Sequence, residues 1–493
     1  MRYTYNILLT VFLTVIIFSN GFCQEKSEKR PNILFIAIDD MNDWTGFLGG
    51  HEQTITPNMD KLADQGVNFT NAHCSAPGCS PSRNSLLYGV EPFNSGLYPF
   101  YEHDIHATLM KEYTSLPRLL KENGYETFGA GKIHHGNLSD NREWTHYEET
   151  KGGKQIYVEG EGFMKNKKMS FRPTHHADED HKDFQVASYG IDVLNEKHDK
   201  PFFLAVGIVK PHLPFDAPKR FFDALPENIQ APAIYEEDLM DIPKEGLGMR
   251  KAGDYNFFKK EGKWEDVRRA YLACISWADF NIGRVLEALE NSEYADNTIV
   301  VLWSDHGYHL GEKMSFKKFT LWEEATKVPF IIYDPRKDSK VKGGEKYDEA
   351  VSLINIYKTI ADFAAVETPK YVDGESLVPV LKHPNKILKQ PAITSWGKGN
   401  YAVRTEDYRY IRYYDGTEEL YFHTEDDNEW YNLAQSEGYQ EKKKELASYL
   451  PQNEAPLVKD YVTPWSVEGE GKAEFRGFEV KKKTKKKKKA SMK

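Results

Sequence analysis

Asn32-Ile33-Leu34-Phe35-Ile36-Ala37-Ile38-Asp39-Asp40 decides how this chain is built. A near-continuous apolar run of this length suits a strand buried on both faces, and such strands belong to parallel sheets covered by helices. The run ends abruptly in two adjacent carboxylates. Similar runs recur along the chain. Glu126 to Gly131 is a short strand ending at Lys132, and Phe202 to Val209 leads into Lys210-Pro211-His212. Thr298 to Trp303 ends in Ser304-Asp305-His306, and Val328 to Tyr333 reads as a further strand. Helical patterns lie between them, at Pro57 to Gln65 with Gly66 as its stop, at Ser115 to Asn123, and at Glu265 to Glu290. Strands alternating with helices predict an α/β fold with a mostly parallel, doubly wound sheet. Sites in such sheets lie beyond the carboxyl ends of the strands. Polar residues open most loops, but acidic pairs after two buried strands, and a Lys and a His after two others, predict one composite polar site.

The rest of the chain frames that domain. Its 493 residues suffice for one large domain and a smaller one. The net charge of -10 argues against bulk attraction to nucleic acid, so an anionic substrate needs a locally basic pocket. Residues 1–23 read as a signal peptide, with Arg2, the short apolar run Ile7 to Phe18, and small or polar residues up to Cys23. No other segment suits a transmembrane span. Periplasmic or secreted location follows, with lipid attachment at Cys23 as the competing reading. Four cysteines do not make a disulfide scaffold. Cys274 lies on an apolar helical spacing and reads as core. Cys74 reads as core or as a pairing partner.

The texture changes after Glu375-Ser376-Leu377. Tyr401 to Tyr414 alternates, Asp415-Gly416 marks a turn, and Glu419 to Phe422 follows, which predicts a small antiparallel sheet. A helix is expected near Glu441 to Leu450. Lys481 to Lys489 is almost all lysine and reads as a solvated tail. The expected division is therefore residues 24–380, 381–475 and a tail at 476–493. His175, His176 and His181 read as part of a solvated loop within an insertion from Gly136 to about Lys182 that shapes a pocket mouth.

Cys79-Ser80-Pro81-Ser82-Arg83 carries the chemistry. Ser80 suits an N-cap and Pro81 the first helical position. Residue 79 then sits ahead of a positive helix end, which favours an anion and lowers a thiol pKa. This Cys-x-Pro-Ser-Arg pattern, followed by Leu86-Leu87-Tyr88-Gly89, resembles the signature of formylglycine-dependent sulfatases in the alkaline-phosphatase-like superfamily. Its expected neighbours occur in order: Asp39-Asp40, Gly131-Lys132-Ile133-His134, Lys210-Pro211-His212-Leu213-Pro214-Phe215, Ser304-Asp305-His306-Gly307 and Lys318. The Lys-Pro-His-Leu-Pro-Phe segment and the Asp-His pair are similar to iduronate-2-sulfatase-like enzymes.

The resemblance implies an alkaline-phosphatase-like fold with a C-terminal α+β subdomain, and a sulfuric ester hydrolase. Asp39, Asp40, Cys79, Asp305 and His306 would hold one calcium ion, with magnesium as runner-up, since hard oxygen donors suit either. A maturing enzyme would convert Cys79 to formylglycine, whose hydrate attacks sulfur. Lys132, Lys318 and Arg83 would balance charge on the sulfuryl oxygens. Asp305 would help take the proton of the attacking hydroxyl. His212 or Lys318 would protonate the leaving alcohol, and His134 would then expel sulfate. Lys132, His212 and Lys318 would also bind substrate. Two alignments stay open. Spacing favours His134 over His135, and Lys318 over Lys317. Trp396 and the Tyr401 to Tyr408 region are candidates for sugar subsites. The implied substrate is a uronate-containing sulfated polysaccharide or its oligosaccharides, of the ulvan or glycosaminoglycan type. Phosphodiester or phosphonate monoester hydrolysis is the alternative. The oligomeric state is left open.

Overall fold

Both faces of the first strand are buried, as its unbroken apolar run requires. The structure is a computed structural model describing residues 30–101, 109, 111–136, 140–153, 156–166, 169–337, 339 and 341–458. The signal-peptide, Cys23 and lysine-tail expectations lie outside these residues. Strand β1 (Asn32–Asp39) is buried along its whole length. Its side chains alternate between two cores. Ile33, Phe35 and Ala37 meet Leu86, Leu87 and Tyr357 on one side, whereas Leu34, Ile36 and Ile38 meet Leu62, Val186 and Ile275 on the other.

The central sheet also contains β2 (Val67–Phe69), β3 (Glu126–Gly131), β4 (His146–Glu148), β5 (Phe202–Pro211), β6 (Thr298–Ser304), β7 (Phe330–Tyr333) and β8 (Glu345–Tyr347). Their spatial order is β8-β2-β7-β6-β1-β5-β3-β4. The run β6-β1-β5-β3-β4 is parallel throughout. Strand β7 is shorter than Val328 to Tyr333 and pairs antiparallel with β6 and β2. A parallel return usually runs through a crossover helix packed on the sheet, whereas the β6–β7 connection holds a two-stranded ribbon (His309–Leu310 with Phe316–Lys317) and the four-residue helix Glu323–Thr326.

Helices α1 (Pro57–Gln65), α4 (Lys182–Asn195) and α5 (Trp264–Glu290) cover one face, while α2 (Cys79–Tyr88), α3 (Leu116–Glu122) and α6 (Asn355–Phe363) cover the other. Cys274 is core on α5, and Cys74 is a buried free thiol rather than a disulfide partner. Strands β9 (Ala392–Ser395), β10 (Tyr401–Arg404), β11 (Tyr408–Arg412) and β12 (Glu418–Phe422) form the expected antiparallel sheet in sequential order. With α7 (Gln440–Ala447) it builds a core of its own around Val403, Tyr410, Leu420 and Leu446.

A glycine pair positions one edge of the polar site. A Cβ on Gly131 would lie 2.1 Å from the Gly207 carbonyl oxygen, and a Cβ on Gly207 would lie 2.4 Å from the Lys132 nitrogen. Gly131 also has φ +80, a conformation that side chains disfavour. Only glycines let β3 and β5 close here and turn the chain outward at Lys132. Gly207→Ala should therefore cost about 2 kcal/mol or more by overpacking, read as a lowered urea midpoint with an activity loss beyond the unfolded fraction.

A buried ion network joins the two sheets. Arg409 on β11 pairs with Glu429 at 2.5 Å and with Glu323. Burial pushes both carboxyls up, but arginine outweighs it: Arg409 and His423 hold Glu429 down at about 2, and Arg404 and Arg409 hold Glu323 well below the usual range. Carboxyls depressed on folding contribute stability above their unfolded pKa of about 4.3 and lose it as pH falls through the folded value. The stability deficit of Glu429→Gln should be largest above about pH 4.3. It should shrink as pH falls towards about 2, in thermal melts run across that window.

Candidate active site

Four adjacent parallel strands end on one edge, and their polar ends meet there. In a regular strand consecutive side chains face opposite sides. Here the β1–β5 register shifts between Ile38 and Asp39, and Asp40 takes φ +64. That left-handed turn, which aspartate tolerates better than most residues, brings both carboxylates to the same point. The Asp40 amide donates to Asp305 Oδ1 at 3.1 Å, tying the end of β1 to the end of β6.

Residue 79 enters from α2. The helix begins earlier than the sequence suggests: Gly78, not Ser80, is the N-cap, and Cys79 lies in the first turn. Gly78 has an extended backbone and its carbonyl accepts the Ser82 amide at 3.0 Å. The Ser80 hydroxyl instead accepts from the Tyr101 amide at 3.4 Å. A Cβ on Gly78 would stand 3.0 Å from Phe100 and 3.1 Å from Trp396, so the cap is a close-packed position. The thiol is not activated. Burial first, and then Asp39, push Cys79 well above the usual thiol range. The helix end does not outweigh them.

Asp39, Asp40, Cys79 and His306 offer ligand atoms that all lie within 4.8 Å of one another. Cys79 Sγ stands 3.7 Å from Asp40 Oδ1 and 3.3 Å from His306 Nε2. His306 Nδ1 donates to the Gly307 carbonyl at 3.0 Å, which leaves Nε2 as a lone pair 3.3 Å from Asp40 Oδ1. Fixing a histidine tautomer through a backbone carbonyl is typical of metal ligands. Asp305 stands at the margin of this group. Its Oδ1 is 3.5 Å from His306 Nε2, and its Oδ2 is held by Arg83 Nε at 2.7 Å.

Three cations neutralise these acids. Lys132 Nζ is 2.5 Å from Asp39. Lys318 Nζ is 2.5 Å from Asp40, 3.0 Å from Cys79 Sγ and 3.3 Å from His306 Nε2. Burial alone would raise both carboxyls. Lys132 and Arg83 instead hold Asp39 far below the carboxylate range, and Lys318 does so for Asp40. The oxygens are therefore anionic and already accommodate a positive charge in their midst, and the donor set fits a hard divalent cation.

Arg83 is the third cation. It is fully buried, and its guanidinium is spent on Asp305, Asp39 and the carbonyls of Ile38, Lys132 and Ile133. It fixes the acids. His212 is more open: Nδ1 donates to the Leu213 carbonyl at 2.6 Å, so Nε2 faces Asp40 Oδ2 at 3.9 Å. Lys317 turns away to Asp254 at 2.7 Å, leaving Lys318 in the pocket.

The adjacent histidines have different surroundings. His134 is 1% exposed, with Nε2 3.1 Å from Glu143 and its ring beside Tyr88. His135 lies edge-on to Phe100, 5.2 Å between centroids. Burial, and then Lys132, lower it to about 3, so it is neutral. Phe100, its ring partner, belongs to the aromatic group that includes Cys79, which places His135 beside that group.

Phe319 and Trp396 stack at 5.1 Å, and Phe100 meets both edge-on, forming an aromatic wall beside Cys79. Trp396 is thus near the site as expected. Tyr401 and Tyr408 are not: they pack on Phe93 and Phe422 in the C-terminal core. The insertion after Gly136 is also more ordered than a solvated loop. Met169–Thr174 pairs with Phe215–Pro218, just past His212, and His181 is buried against Trp277. Glu143 and Phe100 gave no sequence signal, because neither belongs to a recognisable pattern.

Comparison with known proteins agrees with this geometry. The family model described as Sulfatase matches residues 31–366, and that described as N-sulphoglucosamine sulphohydrolase, C-terminal, matches residues 311–455. A sulfatase of Formosa agariphila is 37% identical and covers 87% of this chain and 88% of its own. The iduronate 2-sulfatase of Homo sapiens is 30% identical over 69% of this chain and 70% of its own. A solved 2-O GAG sulfatase shares the fold with a TM-score of 0.69 and 22% identity, covering 92% of this chain and 95% of that one.

Removing one member of a buried ion cluster strands the others. Arg83→Leu should cost about 3–5 kcal/mol, measured by urea denaturation, because Asp305 and Asp39 lose their common partner.

Proposed function

Because this chain belongs to the sulfatase family and is a sulfuric ester hydrolase, we propose that it removes sulfate from a uronate-containing sulfated polysaccharide or its oligosaccharides, of the ulvan or glycosaminoglycan type. We further propose that it is exported through residues 1–23, binds one calcium ion through Asp39, Asp40, residue 79, Asp305 and His306, and carries residue 79 as formylglycine made by a maturing enzyme. The observation that supports this reading best is the convergence of Asp39, Asp40, Cys79 and His306 beside Lys132 and Lys318. Likeness to an iduronate 2-sulfatase supports the sugar class.

When present, calcium and formylglycine supply a hydrated aldehyde hydroxyl as nucleophile and charge to hold it in ionised form. The chain's own residues do the rest. Lys132 and Lys318 stabilise the charge that grows on the sulfuryl oxygens. Arg83, spent on protein partners, keeps Asp305 and Asp39 oriented. The leaving alcohol takes its proton from Lys318, which Asp40 and Cys79 hold as a cation against burial, or from His212 Nε2, which faces the pocket and must first be protonated to serve. His135, neutral and beside Phe100, accepts the proton whose removal releases sulfate, with His134 as the competing residue.

Mass spectrometry of the peptide holding residue 79 should find an aldehyde in place of the thiol, and Cys79→Ala should lower turnover on the order of 10³-fold or more. Calcium removal by chelation should abolish activity and calcium restore it better than magnesium. In parallel assays on sulfate and phosphate esters, faster phosphate release would overturn the reading. His135→Ala should slow turnover far more than His134→Ala, and the reverse ranking would return the proton-accepting role to His134.

A further inference from the structure

The segment that presents Lys318 has little regular structure of its own. Lys317 has φ +76 and Phe319 φ +81, so the lysine stands between two residues in a conformation that costs energy. Lys313 and Met314, a few residues earlier, are also left-handed. Such a backbone persists only where its surroundings over-determine it. Here the C-terminal sheet does so. Arg409 of β11 donates to the Leu321 carbonyl at 3.0 Å and pairs with Glu323. It also grips Glu429 at 2.5 Å, whose other oxygen accepts the Glu323 amide at 3.0 Å. Trp322 Nε1 donates to Glu419 of β12 at 2.7 Å. Lys313 Nζ reaches the Glu429 carbonyl and Asp238. On the pocket side the Phe319 amide donates to the Pro77 carbonyl at 3.1 Å, two residues before Cys79.

Glu323, His423 and Glu429 cluster closely enough to suggest a second metal site. The guanidinium groups of Arg404 and Arg409 already neutralise those carboxylates, so the cluster is an ion network. Arg409 is fully buried. Its contacts are to Leu321, Glu323 and Glu429, and none reaches a pocket residue. It cannot touch substrate, but three of its contacts end within five residues of Lys318 or on the residue that holds Glu323.

We propose that Arg409 is a positioning residue for sulfate ester hydrolysis: by clamping Leu321 and Glu323 through its fork, and Glu429 behind them, it sets the Lys318 ammonium against Asp40 and residue 79. This rests on the sulfatase reading above. A lysine stem is long and has several rotatable bonds, so its placement depends on where its backbone is anchored. Misplacement of a charge-stabilising group by about 1 Å can cost roughly a hundredfold in rate.

A double-mutant cycle tests it in the full-length enzyme. Arg409→Lys keeps the charge and removes the fork. It should lower kcat/KM about tenfold to a hundredfold, and Lys318→Ala should lower it further. If Arg409 acts through Lys318, adding Arg409→Lys to Lys318→Ala should cause no further loss beyond about twofold, the signature of coupled residues. Penalties that multiply would overturn the proposal and leave Arg409 a purely structural residue. Should Arg409→Lys not fold, Trp322→Phe, which removes only the Glu419 hydrogen bond from the same segment, enters the same cycle with the same two outcomes. A wild type that releases no sulfate from any ester sinks the functional reading itself. The cycle is then scored on affinity for inorganic sulfate by calorimetry, where coupled losses support the clamp and additive losses overturn it.

Discussion

Crowded negative charge in a dry place is the constraint on which the rest of this structure depends. Asp39, Asp40 and Asp305 are all buried where parallel strands end. Adjacent carboxylates out of water repel one another and would take up protons. They stay ionised because Arg83, Lys132 and Lys318 stand among them. Each cation comes from a different part of the chain: a helix, a strand end and an irregular segment. The fold is an apparatus for bringing these pieces to one edge. Anions gathered and half-neutralised in this way form a natural seat for a hard cation, and the lysines beside them suit an anionic substrate.

The two-faced burial of β1 makes that edge rigid. Helices on both sides leave no room for the strand to shift, so the ends of β6, β1, β5 and β3 stay in register. Local departures from regularity then aim the side chains. Asp40 leaves the strand in a left-handed turn, Gly131 and Gly207 allow two backbones to touch, and Gly78 lets an aromatic wall close over the start of α2. The C-terminal sheet contributes from outside the pocket. Trp396 extends the wall, and Arg409 and Glu419 hold the segment that carries Lys318.

Much of this was legible in the residues. The apolar runs ended in ionisable groups at Asp39, Lys132, His212 and Asp305, and these do converge. Cys79 does lie beside Asp39, Asp40 and His306. Lys318 lies beside Asp40 and Cys79, and Lys317 pairs with Asp254. Other readings went astray for identifiable reasons. Ser80-Pro81 looked like the start of a helix because cap propensities are local, but Gly78 won through its extended backbone and close packing. The thiol was expected to be acidic from the helix end, but desolvation is the larger effect. Nothing in a sequence shows that the Arg83 guanidinium is held by Asp305, Asp39 and three carbonyls, which only the structure adds. His134 and His135 differ by one position, and a one-residue difference decides which way a ring faces.

Unaided, the sequence determined the fold class, the polar ends of the strands, the Cys-x-Pro-Ser-Arg segment beside them and the antiparallel C-terminal sheet. These follow from hydrophobic periodicity and from short motifs, both of which are local properties. Only the tertiary structure decided which side chains face the pocket, which are consumed by partners, and which distant residues hold the Lys318 segment. Contacts such as Arg409 to Glu323 or Phe100 to His135 join residues far apart in the chain. Their existence depends on where whole elements pack, and no spacing along the sequence encodes that.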